Sequence, residues 1–145
     1  MKVNKLTVVI LVLLVFVISL MSCTDAAAFN SNSLKEIALS AEVDKQLKPI
    51  NATVKFTTDP AQIYCSFLPL KGSTGMNVTA QWIYVKGEVT ELNYYVIDNW
   101  TELVKKEGRM AMFMRRFTNG WPHGTYKVVL SVNGVEEISI PFQIN

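Results

Sequence analysis

From Leu34 onward, apolar and polar side chains alternate with the period of strands that bury one face. Ile37, Leu39, Ala41 and Val43 alternate with Ala38, Ser40, Glu42 and Asp44, which predicts a first strand. Lys48-Pro49-Ile50-Asn51 breaks the pattern, Ala52 to Thr57 resumes it, and Asp59-Pro60 marks a turn. Gln62 to Leu68 predicts a strand with Ile63, Cys65 and Phe67 on one face; Pro69 stops it, and Lys71 to Gly75 forms a loop. Asn77 to Lys86 sets Val78, Ala80, Trp82 and Tyr84 against Thr79, Gln81, Ile83 and Val85, and Gly87 ends the run. Leu92 to Ile97 reads as a short aromatic strand. Thr101 to Glu107 fits either two turns of helix closed by Gly108 or a loop. Arg109 to Phe117 is apolar on both faces in its middle, the pattern of an interior strand.

The carboxyl-terminal pair of strands constrains its own register. Tyr126, Val128, Leu130 and Val132 form one apolar set; Ile138, Ile140, Phe142 and Ile144 form the other. A regular two-residue Asn133-Gly134 loop would pair Leu130 with Glu137, apolar against polar. In a sheet with one buried face, a one-residue slip inverts every side chain. A three-residue loop Val132-Asn133-Gly134, with Gly134 as a bulge, pairs Ser131 with Val135, Val128 with Ile138 and Tyr126 with Ile140. This register is the expectation, with Pro141 on the outward set of an edge strand.

Six to eight short strands with turn signals between them, and no long helix, predict an all-β domain built as a sandwich. Cys65, Trp82 and Gly124-Thr125-Tyr126-Lys127-Val128 resemble the landmarks of immunoglobulin-like domains. There a Cys lies on the second core strand, a Trp on the third and Gly-x-Tyr-x-Cys on the penultimate strand. The resemblance implies an Ig-like or fibronectin-like antiparallel β-sandwich of about seven strands. Tyr126 would be its tyrosine corner; Val128 stands where the second Cys would be, so the inter-sheet disulfide is missing.

Lys2 and Lys5 precede an uncharged apolar run from Leu6 to Met21, the pattern of an export signal. The run falls short of the ~20 residues that span a bilayer comfortably. Leu20-Met21-Ser22-Cys23 resembles a bacterial lipobox, with Leu at −3, Ser at −1 and Cys at +1; Met21 departs from the usual residue at −2. The resemblance implies a lipoprotein: cleavage before Cys23, lipidation of its thiol, and an extracytoplasmic protein held on a membrane by its acyl chains. An uncleaved transmembrane anchor is the other reading. The expected organisation is 1–22 signal peptide, 23–33 flexible tether of small and polar residues, and 34–145 folded domain.

The chain of 145 residues has room for one domain. Its net charge of +2, with Lys105-Lys106 and Arg115-Arg116 as isolated basic pairs, supplies no field for nucleic acid, so no nucleic-acid partner is expected. Cys65 is read as a buried structural thiol, with pairing between molecules as the alternative. One histidine, His123, and no cysteine cluster exclude the usual zinc sets. No calcium loop, P-loop, dinucleotide fingerprint or nucleophile elbow occurs. A non-enzymatic, cofactor-free binding module is therefore expected, with protein or glycan at the cell surface as partner.

Tyr94, Tyr95, Trp100 and Trp121 fall in or beside loops, where aromatic side chains on a rigid scaffold commonly make contacts. For Trp121 the competing reading is packing over the end of the sandwich. Met110, Met112 and Met114 would share a strand face at a spacing of about 6.6 Å. Three flexible thioethers there could converge on Cu(I), which makes copper handling the alternative function, although methionine also fills cores. Asn51, Asn77 and Asn99 each open an N-x-T glycosylation acceptor.

Overall fold

The computed structural model describes residues 28–145. The expectations of a signal peptide at 1–22 and of lipidation at Cys23 lie outside the described residues. The described chain is all-β, with strands β1 (Leu34–Ser40), β2 (Glu42–Val43), β3 (Pro49–Ile50), β4 (Lys55–Phe56), β5 (Gln62–Pro69), β6 (Asn77–Gly87), β7 (Tyr95–Leu103), β8 (Met110–Arg115), β9 (Gly124–Val132) and β10 (Val135–Ile144). A single 3-10 turn, Thr90–Leu92, precedes β7.

Three sheets form. One has the order β1-β5-β8, a second β4-β10-β9-β6-β7, and β2 pairs with β3. All pairings are antiparallel except β4 with β10, which run parallel over Gln143–Lys55 and Ile144–Phe56. The two larger sheets close on one apolar cluster. Ile37, Leu39, Ile63, Cys65, Phe67, Met112 and Met114 come from the first; Val78, Trp82, Tyr84, Tyr126, Val128, Leu130, Ile140 and Phe142 come from the second. At its centre the Tyr126 ring stacks on Phe142 at 5.3 Å and meets Tyr84 edge-on at 5.0 Å, while Trp82 meets Phe142 edge-on at 6.0 Å. Such offset and T-shaped contacts add to burial itself, because ring edges are electropositive and ring faces electronegative.

The terminal hairpin differs from the expected register. Asn133 (φ 49°) and Gly134 (φ 82°) make a two-residue turn that pairs Val132 with Val135, as positive φ at both turn positions favours. The mismatch this creates is absorbed one step later. A shift between Glu136 and Ile138 brings Ile138 opposite Leu130, Ile140 opposite Val128 and Phe142 opposite Tyr126. Glu137 is the extra residue of that bulge, and it does other work. Its carboxylate accepts hydrogen bonds from Ser31 Oγ, Ser33 Oγ and the Ser33 N–H. Phe29 bridges Ile37 through two backbone bonds of 2.8 Å. Phe29, Ser31 and Ser33, from the segment expected as a tether, are thus bonded to the domain.

Two further expectations change. Thr101–Leu103 belongs to β7 and is not helical. Met110–Arg115 is not interior but terminal in its sheet. Its outward face is apolar because Phe113 packs on Tyr64 (centroids 5.7 Å apart) under the Arg115 guanidinium, 5.4 Å from the Phe113 ring.

Gly120 to Tyr126 makes the corner into β9. Tyr126 Oη donates to the Pro122 carbonyl at 2.6 Å, and Tyr84 Oη donates to the next carbonyl, His123, at 3.2 Å. Gly87 pairs with Gly124 across β6 and β9. Neither has space for a side chain: a Cβ on Gly87 would overlap the His123 carbonyl, and one on Gly124 would come within 2.5 Å of the Lys86 carbonyl.

Candidate functional site

The two large sheets part at one side, between β7, terminal in the second sheet, and β8, terminal in the first. A groove of about 560 Å³ opens there. Its two walls present themselves differently. Every residue of β8 from Met110 to Arg115 lines it, so side chains of both strand faces are met. That happens only when a groove runs along the unpaired edge of a strand, because successive side chains point to opposite faces. β7 contributes Asp98, Trp100 and Glu102, alternate residues of one face, together with Ile97.

Register explains that face. Asp98, Trp100 and Glu102 sit opposite Trp82, Ala80 and Val78, the core-facing residues of β6. They therefore point inward, from a strand that has no further strand beside it. Trp100 is 56% exposed, and its indole N–H donates to Glu102 Oε2 at 3.3 Å. The opposite face of β7 is solvated, with Thr101 bonded to Thr79 at 2.8 Å and Leu103 exposed beside it. Across the groove, Met110, Met112 and Met114 oppose Phe67, Cys65 and Ile63 and so share the inward face of β8. Met112 and Met114 are buried, and Met110 is partly exposed.

The structure sorts the sequence candidates. It brings Trp100, Met110, Met112 and Met114 to one groove. Tyr94 and Tyr95 are exposed, but they lie at the start of β7 and do not line the groove. Trp121 as an exposed contact is corrected: it is buried at 3% exposure, with its indole N–H donating to the Pro60 carbonyl at 2.6 Å and its ring against Phe117. An indole buries well once its single donor has a partner. Cys65 is a free, fully buried thiol pushed up to about 12 by desolvation, so it stays protonated at neutral pH. Asp98 and Glu102 were not singled out from sequence. The available signal was the two-residue spacing Asp98-x-Trp100-x-Glu102, hidden by the absence of an apolar stripe.

Among the described residues, no group of three His, Cys, Asp or Glu side chains is placed to hold a metal ion, and no helix is long and apolar enough to cross a membrane. The groove can offer two carboxylates, an indole face, thioethers and a strand edge. That donor set suits recognition of an extended or cationic group.

No family model matches the chain, and no curated protein matches it by sequence. Among solved structures, the chain is similar to a Pseudomonas fluorescens alkylpurine DNA glycosylase, AlkC, bound to DNA containing an abasic site analog. The similarity covers 78% of this chain and 30% of that one, with 14% identity and a TM-score of 0.47. That neighbour is an enzyme, so the sequence-based exclusion of enzymatic activity is withdrawn. A likeness of this size assigns the chain neither an activity nor a nucleic-acid ligand.

Proposed function

We propose that this is an extracytoplasmic lipoprotein, held on a membrane through Cys23, whose single Ig-like β-sandwich binds a protein or glycan partner in the groove between β7 and β8. The observation that carries the binding site is the groove itself, with an exposed Trp100 held between two inward carboxylates. Exposed aromatic anchors beside polar groups are where binding energy concentrates. The Ig-like reading is supported by the strand orders β1-β5-β8 and β4-β10-β9-β6-β7, and by the Tyr126 hydroxyl on a carbonyl four residues upstream. The anchor is supported by the lipobox resemblance alone. The test is titration of the full chain in detergent micelles with a panel of short peptides and oligosaccharides, followed at the Trp100 indole and the Met110, Met112 and Met114 methyl groups. Perturbation confined to those groups is expected; a panel that leaves them unmoved overturns the groove as the site.

A second reading, Cu(I) handling, is favoured by one observation: Met110, Met112 and Met114 all line the groove. A Cu(I) titration separates the two. No binding, or binding unchanged in Met110→Leu, Met112→Leu and Met114→Leu variants, ends the copper reading.

A further inference from the structure

The free edge of β8 and the inward face of β7 define what kind of partner the groove accepts; this step rests on the groove reading above. We infer that the groove takes an extended peptide segment of a partner protein. The segment adds as a fourth strand beside β8 and carries two basic residues four positions apart, with an apolar residue midway between them.

The geometry gives each part of that pattern. Among the described residues no strand pairs with the second edge of β8, and the groove exposes that edge along Met110 to Arg115. A strand added there would continue the order β1-β5-β8, through main-chain hydrogen bonds at the usual spacing of about 4.8 Å. Its alternate side chains would point across the ~10 Å between sheets toward the inward face of β7. They would meet Asp98, Trp100 and Glu102 in turn. Asp98 and Glu102 are four residues apart, roughly 13 Å along a strand. The complementary strand therefore places a basic residue against each carboxylate and an apolar one over the Trp100 ring. Arg115 does not cancel that preference, since its strand neighbour Met114 is inward and Arg115 lies on the opposite face, over Phe113.

A second copy is disfavoured as the occupant because the chain lacks the required segment: its one pair of basic residues four apart, Lys105 and Arg109, has Glu107 midway.

The test is hydrogen exchange of the full chain in detergent micelles with the peptide acetyl-Thr-Lys-Thr-Val-Thr-Lys-Thr-amide. It is compared with a glutamate-for-lysine peptide and with one N-methylated at alternate amides to block strand pairing. Expected are slowed exchange at alternate amides of Met110–Arg115, loss of binding on N-methylation, and no binding of the glutamate peptide. Asp98→Asn with Glu102→Gln should weaken binding about fivefold, and Trp100→Ala about tenfold or more. Trp100 is exposed, so its variant folds and keeps the test valid. Peptide binding that moves Trp100 but leaves the β8 amides unprotected overturns strand addition and leaves the groove reading standing. So does a groove that answers only to oligosaccharides. A groove that answers to nothing overturns both, and self-association that protects β8 without peptide overturns the choice of partner.

Discussion

Tyr126→Phe isolates the hydroxyl that holds the corner into β9. The ring is fully buried and keeps its stack on Phe142 and its edge contact with Tyr84 after the substitution. What is lost is one bond of 2.6 Å to the Pro122 carbonyl. A net hydrogen bond contributes about 1 kcal/mol, and an acceptor left without its partner raises the loss toward ~2 kcal/mol. For a domain of this size a loss of 1 kcal/mol lowers Tm by about 4 °C, so a fall of roughly 4–8 °C is expected in thermal denaturation of the full chain in mild detergent. Tyr84→Phe removes a hydroxyl that donates to the His123 carbonyl and accepts from the Val89 N–H at 3.1 Å. The two hydroxyls secure consecutive carbonyls, so the double variant should depart from additivity by more than ~0.5 kcal/mol. Burial, then the neighbouring Tyr84 and Glu88, raise the Tyr126 phenol above its ordinary value. A raised phenol keeps its proton in the folded state when the unfolded chain has released it. Its stabilisation is complete below pH ~10 and declines as pH rises beyond that, and Tyr126→Phe should remove that part of the alkaline slope. A Tm within about 1 °C of wild type, or an unchanged alkaline slope, would refute the corner as a structural clamp.

Four other outcomes follow from the same geometry. Gly124→Ala should cost about 1–3 kcal/mol in denaturant unfolding, because its Cβ meets backbone on β6 that has nowhere to move; a neutral result contradicts the close approach. Burial acts to raise the Glu137 carboxyl, but the hydrogen bonds from Ser31 and Ser33 outweigh it and hold the group below its ordinary value. Its stabilisation is therefore present above pH ~4.3 and lost as pH falls further. Exchange of the Ser33 amide, relative to a Glu137→Gln variant at the same pH, should lose its protection in acid. Cys65 should resist thiol reagents at pH 8 until the chain unfolds. With Cys23 lipidated, titration should count no thiol folded and one in guanidinium; a second thiol would refute the anchor. A Cys23→Ala variant should lose labelling by a palmitate analogue, and labelling that persists contradicts lipidation there.

Much of the strand content was legible because half-buried strands write their period into the chain. Gln62 to Leu68 and Asn77 to Lys86 were predicted within a residue of β5 and β6. β7 was caught only at its start, through the expected strand Leu92 to Ile97, because Asp98 to Leu103 carries no apolar stripe and its Asp98, Trp100 and Glu102 resemble loop composition. The hairpin register failed for a different reason. The conflict between a two-residue turn and the apolar sets was read correctly, but it is resolved by a bulge at Glu137 rather than by a longer loop. That choice depends on Ser31 and Ser33, which bond Glu137 from more than a hundred residues away. Of the two readings of Trp121, packing over the end of the sandwich is the one the structure bears out. The contact reading falls because its partner carbonyl on Pro60, remote in sequence, satisfies the indole N–H. The three methionines were placed on one face correctly. That this face borders a groove depends on β8 ending its sheet, which is a property of topology and not of local pattern.

The groove as binding site is tested most directly through Trp100, because the other two tryptophans, Trp82 and Trp121, are buried at 0% and 3% exposure. Acrylamide quenching of the full chain therefore reports Trp100 almost alone. Saturation with the basic–apolar–basic peptide should blue-shift the emission and reduce the quenching constant severalfold, and a Trp100→Phe variant should show neither change. Quenching that stays the same at saturation, for this peptide and for every member of the peptide and oligosaccharide panel, would contradict the account.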